Sequence, residues 1–157
     1  MPFWAIYHSD SIFKDDTTRK PLAQAITKLH TEVIGLPAFY VVVVFIPLPR
    51  DGLYIGGEER ERPFVRIVID QIAAKLENDP EVYKGWTAQI DKMLEPHILA
   101  KGYDLEYHID ETEKMLWKLN GIYAPPFQSA EERKWREHNR IFYPEELQNS
   151  EGEKDTK

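Results

Sequence analysis

The second residue of the chain is the first whose type could do chemistry of its own. The sequence begins with Met1 and Pro2 and continues directly into the run "FWAIYH". Initiator methionine is generally removed before a small residue, so we expect the mature chain to start at Pro2. Its secondary amine would then be the chain terminus.

An α-amino group has a pKa of about 8, and burial or a nearby cation lowers this pKa by disfavouring the charged form. Such a group serves as a general base, a general acid or a nucleophile toward a carbonyl. The alternative is that Pro2 simply opens a strand.

Composition and spacing exclude several kinds of chemistry. The 157 residues include no cysteine, which excludes disulfides, thiolate metal sites and thiol nucleophiles. The five histidines show no metal-ligand spacing, so we expect no metal and no cofactor. The net charge of −7 and the lack of a clustered basic stripe argue against a nucleic-acid partner. A small molecule is the expected partner.

Two patterns bear on where the protein resides. The longest apolar run, "FYVVVVFIPLP", has about half the length needed to cross a bilayer. The first ten residues lack the basic region of a secretory signal. We expect a cytoplasmic protein that has no membrane partner.

Alternating strand and helix patterns predict an α/β fold. "FWAIYH" predicts a strand, and the helix after it ends at Gly35, with an apolar stripe of Leu22, Ile26, Leu29 and Val33. "FYVVVVFI" predicts a parallel strand buried on both faces. The order recurs with "FVRIVID", a helix running to Gly102, and "DLEYHID". Two consecutive βαβ units predict a four-stranded sheet backed by two helices.

The last third of the chain predicts a helical C-terminal extension. A short helical turn ends at Gly121, and a further helix starts after Ser129, with Glu132 completing a capping box. We expect one domain over residues 1–143. Residues 144–157 are polar enough to form a frayed tail.

Several segments carry a resemblance to a known family, namely "MPFWAIYH", "LAQAITKLH", "GLPAFYVVVVFIPLP", "GGEERERPFVRIVIDQIA", "NGIYAPP" and "ERKWREHNR". The chain resembles the long-chain members of the tautomerase superfamily up to about Tyr143. These are the cis-3-chloroacrylic acid dehalogenase group and, more closely, fungal homologues described as oxalocrotonate tautomerases. The resemblance implies the tautomerase β-α-β fold, a homotrimer, and Pro2 as the catalytic amine acting on a small carboxylic acid.

The resemblance also implies catalytic roles for His30 and Tyr107. His30 matches the dehalogenase histidine that positions substrate or water, and Tyr107 matches the tyrosine that activates water or holds the substrate. Each has a structural alternative. His30 lies at the edge of the helical stripe, and Tyr107 shares a strand face with Leu105 and Ile109, so both are also candidates for the core.

The chain departs from the dehalogenase pattern at two places. Where the dehalogenase has two arginines that hold the substrate carboxylate, this chain has Asp70, Gln71 and Ala74. The dehalogenase glutamate is missing as well, with Leu119 and Asn120 nearby. Dehalogenation is disfavoured because a carboxylate without a bidentate cation loses affinity and orientation.

Arg66 is the candidate replacement for the arginine pair. Strand alternation places it on one face with Phe64, Val68 and Asp70, where it would meet a carboxylate, either of the substrate or of Asp70. Asn120, near the position of the missing glutamate, is the second candidate for substrate binding.

Three functions remain open from the sequence. The first is a tautomerase in which Pro2 moves a proton on an α-keto or enol acid. The second is hydrolytic dehalogenation or hydration of a three-carbon acrylate. The third is a binding protein that keeps the fold without catalysis.

Overall fold

The computed structural model of the protein describes residues 1–146. Residues 147–157, most of the predicted tail, lie outside the described part, and the tail stays a prediction. The elements are β1 (Pro2–Ser9), α1 (Asp16–Leu29), β2 (Val42–Leu48), β3 (Phe64–Gln71), α2 (Pro80–Leu94), β4 (Asp104–Glu111), β5 (Lys118–Leu119), β6 (Ile122–Tyr123) and α3 (Ala130–His138).

The four long strands form one mixed sheet in the order β2-β1-β3-β4. β1 pairs in parallel with β2, and β3 pairs in parallel with β4. The two βαβ units meet where β1 and β3 run antiparallel. The predicted α/β fold, with two βαβ units in one four-stranded sheet and a C-terminal helix, is confirmed.

The main core lies between one face of the sheet and the helices α1 and α2. Burial alternates along β3, because successive side chains of a strand point to opposite faces. The buried side chains of the two central strands pack against those of the helices, the set including Trp4, Ile6, Val65, Ile67, Ile69, Leu22, Ile26, Trp86, Ile90 and Leu94. Each large apolar side chain buried in this way contributes about 1.5–3 kcal/mol.

The end of the first helix differs from the predicted stripe. α1 continues beyond Leu29 as a π-helical turn over His30–Ile34, which ends at Gly35 with φ 84°. A π-helical turn holds more residues than an α-helical turn and therefore rotates the apolar stripe. His30 becomes buried, while Val33 is 56% exposed. The prediction that Val33 continues the stripe is wrong, whereas the stop at Gly35 is confirmed.

Two further boundaries also differ. α2 ends at Leu94 and not at Gly102, because Pro96 has no N–H to continue the helical hydrogen bonds. The predicted short helical turn is present as a 3-10 turn over Lys114–Leu116, but it does not extend to Gly121. The hairpin β5–β6 follows it, and its turn residues Asn120 and Gly121 have φ of 49° and 84°. Asn-Gly is a strong hairpin signal, since both residues tolerate positive φ.

Candidate active site

The start of β1 places Pro2 inside the protein. Pro2 is buried and lies in register with Gln71 of β3. Met1 precedes it, half-buried. Burial, followed by the positive charge of Lys114, lowers the pKa of the Met1 amine to about 4, while the charge of Glu132 raises it. The Met1 amine is therefore neutral at pH 7.

A second, aromatic cluster surrounds Met1. Its buried members are Leu36, Tyr40, Ala73, Trp117, Trp135 and Phe142. The Tyr40 ring stands edge-on to Trp117, with ring centroids 5.0 Å apart, and Trp135 lies on another side of it at 6.4 Å. Burial raises the pKa of the Tyr40 hydroxyl above its ordinary value. The Met1 side chain therefore packs against apolar, largely aromatic residues.

His30 lies at the same end of the sheet as Pro2, and its imidazole is neutral. Its Nε2 accepts a hydrogen bond from the Trp4 indole N–H at 3.0 Å, which assigns the ring proton to Nδ1. That Nδ1 has no hydrogen-bond partner among residues 1–146. Burial, followed by the positive charge of the terminal amine, lowers the pKa of His30 to about 4. His30 is part of the core, and its pKa also responds to the charge of the chain terminus. The two predictions for His30, a core residue and a site residue, are therefore compatible.

Tyr107 points toward α2. Its hydroxyl donates a hydrogen bond to Asp91 Oδ1 at 2.7 Å, and its ring packs against the main core. Tyr107 pairs with Ile67, four residues along β3 from the partner of Pro2. Four residues of strand span about 13 Å. Within one chain, the structure does not bring Tyr107 to Pro2.

Arg66 also lies away from Pro2 in the isolated chain. Its guanidinium contacts His108 and lies 3.8 Å from Glu106 Oε1, on the sheet face opposite the helices. The sequence predicts that Arg66 meets either a substrate carboxylate or the carboxylate of Asp70. In the structure it meets an internal carboxylate, that of Glu106.

Asn120 occupies the turn of the β5–β6 hairpin. Its amide Nδ2 donates a hydrogen bond to the Tyr143 hydroxyl at 3.2 Å. The neighbouring hairpin residues Leu119 and Ile122 pack against the aromatic cluster. Asn120 itself is exposed.

Sequence reasoning missed two charged residues at the terminus, Lys114 and Glu132. Glu132 is only 2% exposed, and its Oε2 accepts a hydrogen bond from the backbone N–H of Gln128 at 2.6 Å. Lys114 donates from Nζ to the carbonyl oxygen of Pro125 at 2.6 Å. Burial raises the pKa of Glu132 and lowers that of Lys114. The capping-box pattern singled out Glu132 as a cap alone, and no sequence motif marks Lys114.

The described residues contain neither a cluster suited to a metal ion nor a helix suited to a membrane. Within residues 1–146, the His, Asp and Glu side chains form no group of three that could hold a metal ion. Each helix in the same part of the chain is too short or too polar to cross a membrane.

Comparison with known proteins relates this arrangement to one family. A family model described as "Putative oxalocrotonate tautomerase enzyme" matches residues 1–140. Crystal structures of RhCC from Rhodococcus jostii RHA1 include one with 36% identity and a TM-score of 0.85, covering 90% of this chain and 99% of that one. A "probable enzyme" from the thermophilic fungus Aspergillus fumigatus has 38% identity and a TM-score of 0.82, with 91% and 97% of the two chains covered.

A more distant structure shares the fold. N1, described as a member of the cis-3-chloroacrylic acid dehalogenase family, has 17% identity and a TM-score of 0.64, and covers 96% of this chain and 99% of its own. No protein of curated function matches the chain. With a family model that matches residues 1–140 and two relatives above 30% identity, the chain belongs to the oxalocrotonate tautomerase family of the tautomerase superfamily.

Proposed function

We propose that this protein is a tautomerase-like isomerase that moves a proton on an α-keto or enol acid with the amine of Pro2. The proposal requires that Met1 be removed, so that the Pro2 nitrogen becomes the chain terminus. One observation carries it. Burial at the start of β1 lowers the pKa of the Met1 amine to about 4, and we expect the same surroundings to hold the Pro2 amine, one residue further along, as a free base at neutral pH.

The chemistry needs one proton and no other reactant. The neutral Pro2 nitrogen takes the proton from the 2-hydroxyl of an enol acid, and the electron pair moves toward C3. The Pro2 ammonium then delivers the same proton to C3, which leaves the 2-keto acid and the neutral amine. His30 contributes its Nδ1–H, which donates to the oxygen on C2 as negative charge develops there. A neutral imidazole suits this role because it remains a donor without titrating near pH 7.

Mass spectrometry and kinetics test the proposal together. The intact mass should show loss of Met1. Ketonisation of phenylenolpyruvate, followed by ultraviolet absorbance, should fall about a hundredfold or more in Pro2→Ala. Pro144→Ala, at an exposed proline, is the matched control and should leave the rate unchanged. Retained Met1, or an unchanged rate in Pro2→Ala, would overturn the proposal and favour a binding protein.

We propose that the chain assembles as a homotrimer. One face of the sheet packs on α1 and α2, whereas apolar side chains on the other face are half-buried in the isolated chain, the set being Phe3, Tyr7, Val42, Val44, Ile46 and Val68. A fused 4-OT with 17% identity and a TM-score of 0.59 is described as an asymmetric trimer.

A further inference from the structure

Resting on the proposed function, we propose that Lys114 binds the substrate carboxylate and that Glu132 stabilises the Pro2 ammonium formed during the reaction. The two residues act in a chamber that Met1 fills until it is removed. The ligand they fit is an enol or keto acid with one carboxylate and a flat apolar body.

Lys114 can take the place of the missing arginine pair. A substrate carboxylate at Pro2 needs a cation, and Arg66 lies on the opposite face of the sheet. Lys114 is the cation whose charge lowers the pKa of the Met1 amine, directly before Pro2. Its ammonium has three protons, and one is donated to the Pro125 carbonyl at 2.6 Å. This single bond fixes the position of the ammonium and leaves two donors for a carboxylate.

Glu132 has a buried carboxylate oxygen that is available to an ammonium. This side chain is almost fully buried, and its position is fixed at both ends. Its backbone N–H donates to Ser129 Oγ at 3.1 Å, and its Oε2 accepts from the Gln128 N–H. The other oxygen, Oε1, is buried and has no hydrogen-bond partner in the described part of the chain. A buried acceptor without a partner is unfavourable, and an ammonium nearby would supply the missing donor.

The side chain of Met1 occupies the space that the substrate would take. Met1 is half-buried and packs against the cluster that holds Trp117 and Trp135. Removal of Met1 would vacate that space, which lies directly before the new terminal nitrogen. Its aromatic walls suit a planar apolar group. The carboxylate of Glu132 disfavours a second substrate carboxylate, so a dicarboxylic acid such as 2-hydroxymuconate is a poorer ligand than phenylenolpyruvate.

The experiment compares the mature wild type with Lys114→Met, Lys114→Arg and Glu132→Gln, all checked for folding by thermal unfolding. Lys118→Met and Glu131→Gln are the matched controls, since they change the same charges at neighbouring positions. Three quantities are measured: KM and kcat for phenylenolpyruvate, the equilibrium affinity for phenylpyruvate, and the titration of ¹⁵N-labelled Pro2.

Lys114→Met should raise KM and weaken phenylpyruvate binding by about tenfold or more, with kcat changed less, and Lys114→Arg should restore part of the affinity. Glu132→Gln should lower kcat more than it changes KM. The Pro2 titration should move to higher pH in Lys114→Met and to lower pH in Glu132→Gln. The control variants should behave as the wild type.

The outcomes separate the two proposals. A rate that does not depend on Pro2 overturns the tautomerase function, and the binding and titration data still decide the roles of Lys114 and Glu132. If activity depends on Pro2 but Lys114→Met binds phenylpyruvate normally, or the two variants fail to shift the titration in opposite directions, the inference is overturned and the tautomerase function stands.

Discussion

The Trp4 indole donates a hydrogen bond to His30 Nε2 at 3.0 Å across 26 positions of sequence. Both side chains are fully buried. Trp4 lies two residues after Pro2 on β1, and His30 begins the π-helical turn after α1. The bond therefore fixes the imidazole relative to the strand that carries the catalytic candidate, and it leaves Nδ1–H as the free donor.

A double-mutant cycle measures this bond. Trp4→Phe leaves a buried acceptor on His30 without its donor, which costs about 1–3 kcal/mol in addition to the lost packing. With His30→Leu as the second change, we expect a coupling of about 1 kcal/mol in urea unfolding. A cycle between Trp135→Phe and His30→Leu is the control, because Trp135 makes no bond to His30. Equal coupling in the two cycles would contradict the assignment.

The pH dependence of stability should report the neutral state of His30. Its pKa falls from an ordinary 6.5 to about 4 in the fold, so the unfolded chain binds the proton more readily. The stabilisation is present above pH 6.5 and is lost as the pH falls toward 4, about 3 kcal/mol in total. The raised pKa of Glu132 acts with the opposite sign, since its stabilisation is lost as the pH rises. His30→Leu should therefore flatten the slope between pH 6.5 and 4, and an unchanged slope would count against a buried neutral imidazole.

Two glycine substitutions should change stability in opposite directions. Gly35 has φ 84°, and a Cβ there would lie 3.2 Å from Arg136 Nη1. Gly35→Ala should destabilise the protein by about 1–2 kcal/mol. Gly85 lies within α2, and a Cβ at that position meets nothing within 4 Å. Gly85→Ala should stabilise by about 0.5–1 kcal/mol. Thermal unfolding of both variants checks the pair, and a shift of the same sign in both would refute the argument.

The cap of α3 should contribute measurably to stability. Ser129 Oγ accepts the backbone N–H of Glu132 at 3.1 Å, which satisfies one free donor of the first helical turn. Ser129→Ala should cost about 1 kcal/mol in denaturant unfolding. Ser11→Ala, at an exposed serine, is the control and should be neutral. A cost within error of that control would mean that the cap is dispensable.

A charge on the open sheet face should disrupt the proposed trimer. Val44 is a half-buried residue of β2 on that face, so Val44→Glu would bury a carboxylate in the interface. Analytical ultracentrifugation should show a trimer for the wild type and a monomer for this variant. Val33→Glu places the same charge at a side chain that is already 56% exposed, and the trimer should persist. A monomeric wild type at micromolar concentration would contradict the assembly.

The sequence by itself determined the order of the long elements. The apolar alternation of β1 and β3, the helical stripe of α1 and the cap at Ser129 are local patterns, and local backbone geometry largely decides them. It also singled out Pro2 and His30, which the structure brings to one end of the sheet. The same local signals misled at two places: the π-helical turn displaced Val33, and the predicted helical turn stops at Leu116, after which the Asn120–Gly121 turn forms a hairpin.

Only the tertiary structure decided which charges surround the chain terminus. Lys114 and Glu132 are far from Pro2 in sequence, and neither lies in a motif that marks a site. They meet the terminus because the C-terminal segment packs its aromatic residues against the end of the sheet. The electrostatic effect of a charge depends on distance and on burial, and a linear sequence contains neither quantity. The sequence therefore determines which amine can act, whereas the fold determines the pKa of that amine.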